Sequence, residues 1–166
     1  IEIVEGEKTA PETAECVRQV ALGMKKKPVI VKDAPSFVLN RLQQAILRES
    51  LHIVQQGIAS PEAVDDVMKY SLGRRWNLVG PLASIDLGGL DVFYNISTYL
   101  FDDMDNGTGP SPLLAEKVRE GNLGAKTGQG FFSWQGEDGK RIIESRNKAL
   151  LRALKNDAAD AAAAQA

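Results

Sequence analysis

The sequence predicts a mainly α-helical fold that is preceded by a short strand–helix–strand segment. Apolar residues recur at helical spacing over most of the chain after residue 35. Before that point, two short runs rich in β-branched residues flank one amphipathic stretch. Two strands are too few for an independent sheet. We therefore expect residues 1–33 to be the remnant of a larger α/β domain, and residues 34–156 to form an all-α domain.

The first region is predicted to hold a strand, a helix and a second strand. The runs "IEIV" (1–4) and "PVIVK" (28–32) have the β-branched composition that favours strands. Residues 9–27 between them carry an apolar stripe at helical spacing, and Thr9 or Pro11 opens this helix.

A long helix is predicted over residues 36–57, with Ser36 as its N-cap and Gly57 just after its end. Its apolar surface is wide, which suits a helix that is buried on more than one side. Asn40 is out of place in this helix, because asparagine side chains compete for backbone hydrogen bonds. Local propensity gives no reason for it.

The rest of the chain is predicted to contain further helices, one glycine-rich loop and a tail. Helix starts are marked by Ser60 and by prolines, and a helix break is expected at Gly88–Gly89. The loop "GAKTGQGFFSW" spans 124–134, and the alanine-rich tail of 157–166 either extends a helix or frays. The predicted helices are 60–73, 80–104, 111–122 and 139–155.

Composition narrows the class of protein. Apolar residues make up 43% of the 166 and charged residues 25%, as in ordinary soluble domains. The formal charge of −2 argues against a nucleic-acid partner. No apolar run approaches the length of a membrane span, so no membrane insertion is expected. Cys16 is the single cysteine, which fits a reducing, cytoplasmic location, and we expect it to be partly buried on its helix.

Isolated candidates for chemistry each have a plainer interpretation. His52 is the only histidine, and no clustered partner for a metal or a nucleophile is evident, so a structural or surface role is favoured and no metal site is expected. Asp86 and Asp91 are better placed for capping and turns than for acid–base work. Arg74 and its neighbour Arg75 either hold an anion or form a surface pair with one member on Trp76.

The glycine-rich loop is open to two interpretations on its own residues. Glycines let backbone N–H groups approach an anion, but the strand-then-helix context of a phosphate-binding P-loop is absent. A tight structural turn is therefore favoured, although Lys126 stands between the glycines where it could reach a ligand.

Several motifs occur in an order that resembles the L-3-hydroxyacyl-CoA dehydrogenase family, including its 3-hydroxybutyryl-CoA branch. The resemblance covers nearly all of residues 1–134 and rests on "IEIVEG", "KKPVIVKDAPSFVLNRLQ", "GPLASIDLGGLD" and "PSPLLAEKVREGNLGAKTGQGFFSW". It implies an NAD-binding Rossmann domain followed by a helical dimerisation domain of the 6-phosphogluconate-dehydrogenase-like C-terminal type. No G-x-G-x-x-G fingerprint occurs in this sequence, so the main NAD-binding part is expected to lie upstream.

The same resemblance implies roles for three residues. Glu2 matches the glutamate that orients a catalytic histidine, which in the family lies before this motif and outside the present chain. Asn40 matches the asparagine that bonds the reacting oxygen or that histidine, and Lys126 matches a lysine that contacts NAD. The sequence departs from the family at three positions. Ser36 replaces a glycine, Ala125 replaces a frequent lysine, and Phe132 replaces a tyrosine.

The implied activity is hydride transfer between L-3-hydroxyacyl-CoA and 3-ketoacyl-CoA with NAD, in fatty acid metabolism, by a cytoplasmic homodimer. Two alternatives remain at this point. In the first, the chain as given is a catalytically silent dimerisation module. In the second, the intact enzyme acts on a free 3-hydroxy acid such as carnitine or gulonate. Because the histidine and the cofactor fingerprint are absent, we expect this chain alone to be inactive.

Overall fold

A computed structural model describes residues 1–163 of the chain. Its backbone packs into two compact units, one of residues Ile1–Asn106 and one that begins at Gly107. These units are defined by packing alone and do not test the division predicted at residue 33, which stays a prediction. Each unit is described by itself below.

The first unit opens with the predicted strand–helix–strand segment. Strands β1 (Glu2–Glu5) and β2 (Val29–Lys32) pair in parallel, in a register that sets Glu2 opposite Val29. Helix α1 (Pro11–Gly23) makes the crossover and begins at its proline, which needs no hydrogen-bond acceptor there. Ile3, Ala14 and Ala21 are buried where the helix covers the sheet.

Cys16 is exposed, so the expectation that it would be partly buried was wrong. Ala14 and Ala21, seven residues apart, mark the face of α1 that meets the sheet. Cys16 lies two positions from Ala14, which turns its side chain towards the opposite face of the helix.

Helix α2 (Leu39–Gln55) begins three residues later than predicted, and Ser36 does not cap it. Ser36 and Phe37 have φ angles of 65° and 51°, whereas a capping residue needs the extended backbone. The other end is as predicted: Gly57, with φ 69°, follows the helix. Its N–H donates to Val54 O, and the next N–H donates to Ile53 O, which together form a Schellman motif.

Helix α3 (Pro61–Val67) runs through a π-helical turn at Met68–Leu72 into helix α4 (Gly73–Gly88). Ser60 caps α3 as predicted, and its Oγ accepts the Ala63 N–H at 3.3 Å. The predicted gap after residue 73 was wrong, because the helix continues through the π turn.

A kink in α4 lies where a helix start was predicted. Gly80 has φ 70° and ψ 168°, and Pro81 follows it without an N–H to continue the helical ladder. Gly89, with φ 93°, separates α4 from helix α5 (Leu90–Leu100), so the predicted break at the glycine pair is confirmed.

The second unit contains helix α6 (Pro112–Arg119), the glycine-rich loop and helix α7 (Gly136–Ala163). Helix α7 is longer at both ends than predicted, and at its C-terminal end the alanine-rich stretch continues it. Residues 157–163 of the predicted tail are thus helical, and the tail's last three residues lie outside the described part. None of the described helices is both long and apolar enough to cross a membrane.

Candidate functional site

The carboxylate of Glu2 binds the first turn of helix α2. Its Oε1 accepts the backbone N–H of Val38 at 2.8 Å and that of Leu39 at 3.0 Å. The first N–H groups of a helix have no partner within the helix, and the helix dipole makes this end positive. A carboxylate is therefore a favourable cap, and here it comes from a strand 36 residues earlier in the chain.

Only one oxygen of Glu2 takes part in this contact. Among residues 1–163, no hydrogen-bond donor to Oε2 is recorded. The side chain as a whole is half-buried. This geometry suits a carboxylate that is held on one side and orients another group on the other.

Asn40 is the second residue of α2 and directly follows the amide of Leu39 that binds Glu2. The side chain is exposed, and within the described residues no hydrogen bond from it is recorded. It is therefore not used to hold the helix. The fold brings Glu2 and the helix start that carries Asn40 together, although they are far apart in sequence. Their catalytic roles stay predictions.

The loop that carries Lys126 is held by its own hydrogen bonds. The Gly124 N–H donates to Gln129 O at 2.8 Å, and the Thr127 N–H donates to Gly124 O at 3.0 Å. The Thr127 hydroxyl accepts the Leu123 N–H at 2.9 Å. Lys126 lies exposed within this turn.

Three glycines of the loop are required, two by their backbone angles and one by close packing. Gly124 and Gly128 have φ angles of 81° and 80°, which side chains rarely tolerate. A Cβ on Gly130 would lie 2.9 Å from Cα of Gly124, so the close approach of these two loop segments requires glycine at position 130, whereas a Cβ on Gly124 would meet nothing within 4 Å. This supports the turn interpretation of the glycines, while the exposed Lys126 remains free to reach a ligand.

A cavity of about 450 Å³ lies beside this loop within the second unit. Its wall is largely apolar and aromatic, and it includes Leu114, Phe131 and Trp134. Lys117 and Lys126 also line the cavity. The Lys117 Nζ lies 3.9 Å from Oε2 of Glu120. A largely apolar pocket with two lysines in its lining fits an apolar ligand that carries a negative charge. Sequence reasoning missed Lys117, because only the fold brings it to the loop.

The remaining candidates differ in outcome. Asp91 lies in the first turn of α5, whose start has no side-chain cap, so the capping role predicted for Asp91 was wrong. His52 is half-buried in the last turn of α2. No group of three potential metal ligands occurs in the described part of the chain. The Arg74 guanidinium lies 5.1 Å from the centre of the Tyr70 ring, so its aromatic partner is Tyr70 in place of Trp76. Tyr70 and Arg74 are four residues apart, which places them on the same side of a helix, whereas residues one or two apart, such as Arg74 and Trp76, point in different directions.

One electrostatic feature lies away from these groups, on helix α1. The Arg18 guanidinium, together with the Gln19 amide, holds the pKa of Glu15 at about 2, below its ordinary value of 4.5. The Arg18 Nε lies 2.7 Å from Glu15 Oε2 on the exposed face of the helix. The pair stabilises the helix locally and adds nothing to the candidate site.

Comparison with known proteins places this architecture in a family. The 3-hydroxyacyl-CoA dehydrogenase C-terminal domain matches residues 37–134. A 5-formyl-3-hydroxy-2-methylpyridine 4-carboxylate 5-dehydrogenase from Mesorhizobium japonicum is 35% identical over 91% of this chain and 49% of its own length. A probable 3-hydroxybutyryl-CoA dehydrogenase from Deinococcus radiodurans is 37% identical over 81% of this chain and 48% of its own. The chain belongs to the 3-hydroxyacyl-CoA dehydrogenase family.

Solved structures agree. A crystal structure of the pyridine-carboxylate 5-dehydrogenase, described as an NAD⁺-dependent dismutase, superposes with a TM-score of 0.87 at 34% identity, over 93% of this chain and 52% of that one. An (S)-3-hydroxybutyryl-CoA dehydrogenase from Ralstonia eutropha gives a TM-score of 0.58 at 32% identity, over 81% and 47%. The predicted family and the mainly α fold are thus confirmed. The chain spans about half the length of the relatives it matches.

Proposed function

We propose that this chain is the C-terminal part of an NAD-dependent oxidoreductase that interconverts L-3-hydroxyacyl-CoA and 3-ketoacyl-CoA by hydride transfer. One observation carries the proposal. Glu2 and the helix start that bears Asn40 meet through hydrogen bonds of 2.8 and 3.0 Å, and both residues match the family's catalytic motifs. In this role Glu2 orients a histidine base supplied from upstream, and Asn40 binds the reacting oxygen.

The residue types fit these tasks. A carboxylate fixes the tautomer of an imidazole and stabilises its charged form while a hydroxyl proton is taken. An amide both donates and accepts a hydrogen bond and does not titrate, so it can bind either a hydroxyl or a ketone oxygen. NAD, when bound, accepts the hydride. The exposed Lys126, on a loop held by its own hydrogen bonds, fits a contact with that anionic cofactor.

Homodimerisation through the helical part is a further element of the proposal. Apolar side chains of α4 and α5 are left uncovered by the chain itself: Leu78 is 81% exposed, Leu82 76% and Tyr94 71%. The apolar stripe of α2 is also exposed at Leu39 and Leu42. Faces of this kind are uncommon on monomers and are typical of subunit interfaces. Sedimentation of the full-length protein tests this, and a strict monomer at high concentration contradicts it.

A second candidate is a dehydrogenase of a free acid, and a specific observation favours it. The relative named for a pyridine carboxylate aligns over 91% of this chain, against 81% for the hydroxybutyryl-CoA relative. An L-carnitine dehydrogenase from Pseudomonas putida is also 35% identical, over 55% of the chain. The substrate is then a small free carboxylate, and a CoA ester is not used.

A substrate panel separates the two candidates. The full-length protein is incubated with NADH and acetoacetyl-CoA, and with NAD and a panel of free acids that includes carnitine, gulonate and 5-formyl-3-hydroxy-2-methylpyridine 4-carboxylate. We expect the highest kcat/KM with the CoA ester. A preference for a free acid overturns the CoA assignment and leaves the dehydrogenase class intact, while no turnover of either overturns the class.

The isolated chain is proposed to be catalytically silent, because the base and the dinucleotide fingerprint are not in its sequence. NADH oxidation by residues 1–166 alone, under conditions in which the full-length protein is active, contradicts this. A cytoplasmic location and a place in fatty acid metabolism also belong to the proposal, and localisation of the tagged full-length protein checks the former.

A further inference from the structure

The segment between β2 and α2 has an unusual backbone. Ser36 and Phe37 both adopt left-handed conformations, with φ angles of 65° and 51°. Non-glycine residues rarely do so, because the Cβ atom approaches the following carbonyl, and two in succession are rarer still. The turn is closed by the Phe37 N–H, which donates to Ala34 O at 3.0 Å. The Arg41 guanidinium also donates to the Pro35 carbonyl at 3.5 Å.

The consequence of this turn lies in the next two residues. The N–H groups of Val38 and Leu39 both point at β1 and converge on Oε1 of Glu2. Two donors from one rigid helix end, both on the same oxygen, fix where the carboxylate lies and how far it can rotate. A helix that began at Ser36 with ordinary backbone angles would send these two N–H groups elsewhere.

We propose that residues 36–39 are a positioning element for Glu2. The left-handed turn places the N-terminus of α2 where its N–H groups bind Oε1 of Glu2. Oε2 is then held in the orientation in which it binds the catalytic base. The inference rests on the proposed function, since it assigns the second oxygen to a histidine of that reaction. Ser36, Phe37, Val38 and Leu39 contact neither substrate nor base in this role and act through Glu2.

A purely structural role for the contact predicts something different. In that case Glu2 is a helix cap and nothing more, and weakening it lowers stability without a specific effect on the base. The positioning role predicts that the base loses support when the turn is disturbed. Because a nearby carboxylate favours the charged imidazole, loss of its orientation lowers the pKa of the base. In 3-hydroxyacyl-CoA oxidation with NAD, where the base must be neutral, the acidic limb of the kcat/KM profile then moves to lower pH.

The first test compares Ser36→Gly with Ser36→Val in the full-length enzyme. Both remove the hydroxyl, but glycine tolerates a φ of 65° and a β-branched side chain does not. We expect Ser36→Gly to keep kcat within about twofold, and Ser36→Val to lower it about tenfold and to shift the acidic limb by about half a pH unit. Equal kcat and equal pH profiles for the two variants overturn the proposal.

The second test uses Glu2→Gln, which keeps an oxygen for the two N–H groups but replaces the other oxygen with an amide nitrogen. We expect melting within about 2 °C of the unaltered enzyme and a kcat at least tenfold lower. The assignment of Oε1 to the helix and of Oε2 to the base is wrong if Glu2→Gln melts at as low a temperature as Glu2→Ala. It is also wrong if Glu2→Gln keeps full kcat. Should Ser36→Val fail to fold, Ser36→Thr, which is also β-branched but keeps the hydroxyl, replaces it in the comparison with Ser36→Gly.

Failure of the proposed function gives a different pattern. In that case the unaltered full-length enzyme turns over neither acyl-CoA nor free acids. An active enzyme with indistinguishable Ser36 variants overturns only the positioning role.

Discussion

Replacing Glu2 with alanine removes the cap from helix α2, and the resulting change in the free energy of opening its first turn can be estimated from the two hydrogen bonds that are lost. The change deletes one acceptor that serves two N–H groups, at 2.8 and 3.0 Å from Oε1. It also removes a negative charge from the positive end of a 17-residue helix. Local opening of the first turn of α2 should therefore become easier.

The size of the effect follows from two contributions. Loss of a side-chain cap costs about 1 kcal/mol, and loss of the charge at the helix end costs about 0.3–1 kcal/mol more. Val38 and Leu39 are 48% and 64% exposed, so water can reach the freed N–H groups and limits the cost. We expect a total of about 1–1.5 kcal/mol, which is about a five- to tenfold change in the opening equilibrium.

Amide hydrogen exchange reports this change at the residues concerned. In the full-length protein, Glu2→Ala should speed exchange of the Val38 and Leu39 amides by about five- to tenfold, and less so at high salt, which screens the charge. Ser60→Ala is the matched control, since Ser60 caps α3 through Ala63 N–H at 3.3 Å. It should speed exchange at Ala63 and leave Val38 unchanged.

The reasoning is refuted if exchange at Val38 and Leu39 is the same with and without the Glu2 carboxylate. The same holds if Ser60→Ala speeds exchange at those two amides as much as Glu2→Ala does. Either result means that the contact does not hold the first turn of α2.

Three further predictions concern backbone strain, loop packing and pH. Ser36→Gly should stabilise the protein by about 0.5–1 kcal/mol in urea unfolding, because glycine adopts the φ of 65° without the Cβ penalty, and an unchanged or lower midpoint contradicts this. Gly130→Ala should destabilise by about 1–3 kcal/mol, since its Cβ would lie 2.9 Å from Cα of Gly124, whereas Gly109→Ala, with open space around it, should cost little; equal midpoints would falsify the packing argument. The pKa of Glu15 is about 2, depressed by Arg18 and Gln19 from 4.5, so its contribution to stability is present above pH 4.5 and is lost as the pH falls towards 2. Glu15→Gln should therefore narrow the stability difference between pH 6 and pH 3 in thermal melts, and an unaltered difference removes Glu15 from the acid response.

The sequence patterns predicted element types well where the signal is local. Ser60 and Pro61 marked the start of α3 correctly, and Gly57 marked the end of α2, because caps depend on a few neighbouring residues. Hydrophobic periodicity likewise identified the strand–helix–strand segment. These features are encoded within a few residues of where they occur.

The start of α2 was missed because its cap is not local. Ser36 has the right residue type for an N-cap, but the acceptor that holds the first turn comes from Glu2, far away in sequence. The helix break predicted after residue 73 failed for a different, local reason. Gly73 packs against the Met68 carbonyl within a continuous helix, so a residue that often ends helices here permits a close approach.

The candidate site was predicted by motif resemblance more than by local physics. Asn40 was conspicuous because asparagine fits poorly in the interior of a helix. In the structure it is the second residue of α2, in the first turn, so its role rests on the family motif more than on this misfit. Glu2 carried no such signal and was found through the family motifs alone. Lys126 was noticed as a lysine between glycines, but only the family motif gave it a role. Lys117 lies within the motif at 110–134, but nothing in that motif marked it, and its place in the cavity beside Lys126 depends on how α6 packs against the loop.

The central claim is that Asn40, beside the Glu2-bound start of α2, serves a dehydrogenase site. The most direct test measures kcat for acetoacetyl-CoA reduction by the full-length enzyme with Asn40→Ala and with Asn147→Ala. Asn147 is an exposed helical asparagine outside the residues that match the family, so it controls for loss of an amide on a helix surface. We predict a loss of more than about tenfold for Asn40→Ala, an unchanged kcat for Asn147→Ala and equal melting temperatures for both. Equal kcat values for the two variants contradict the claim.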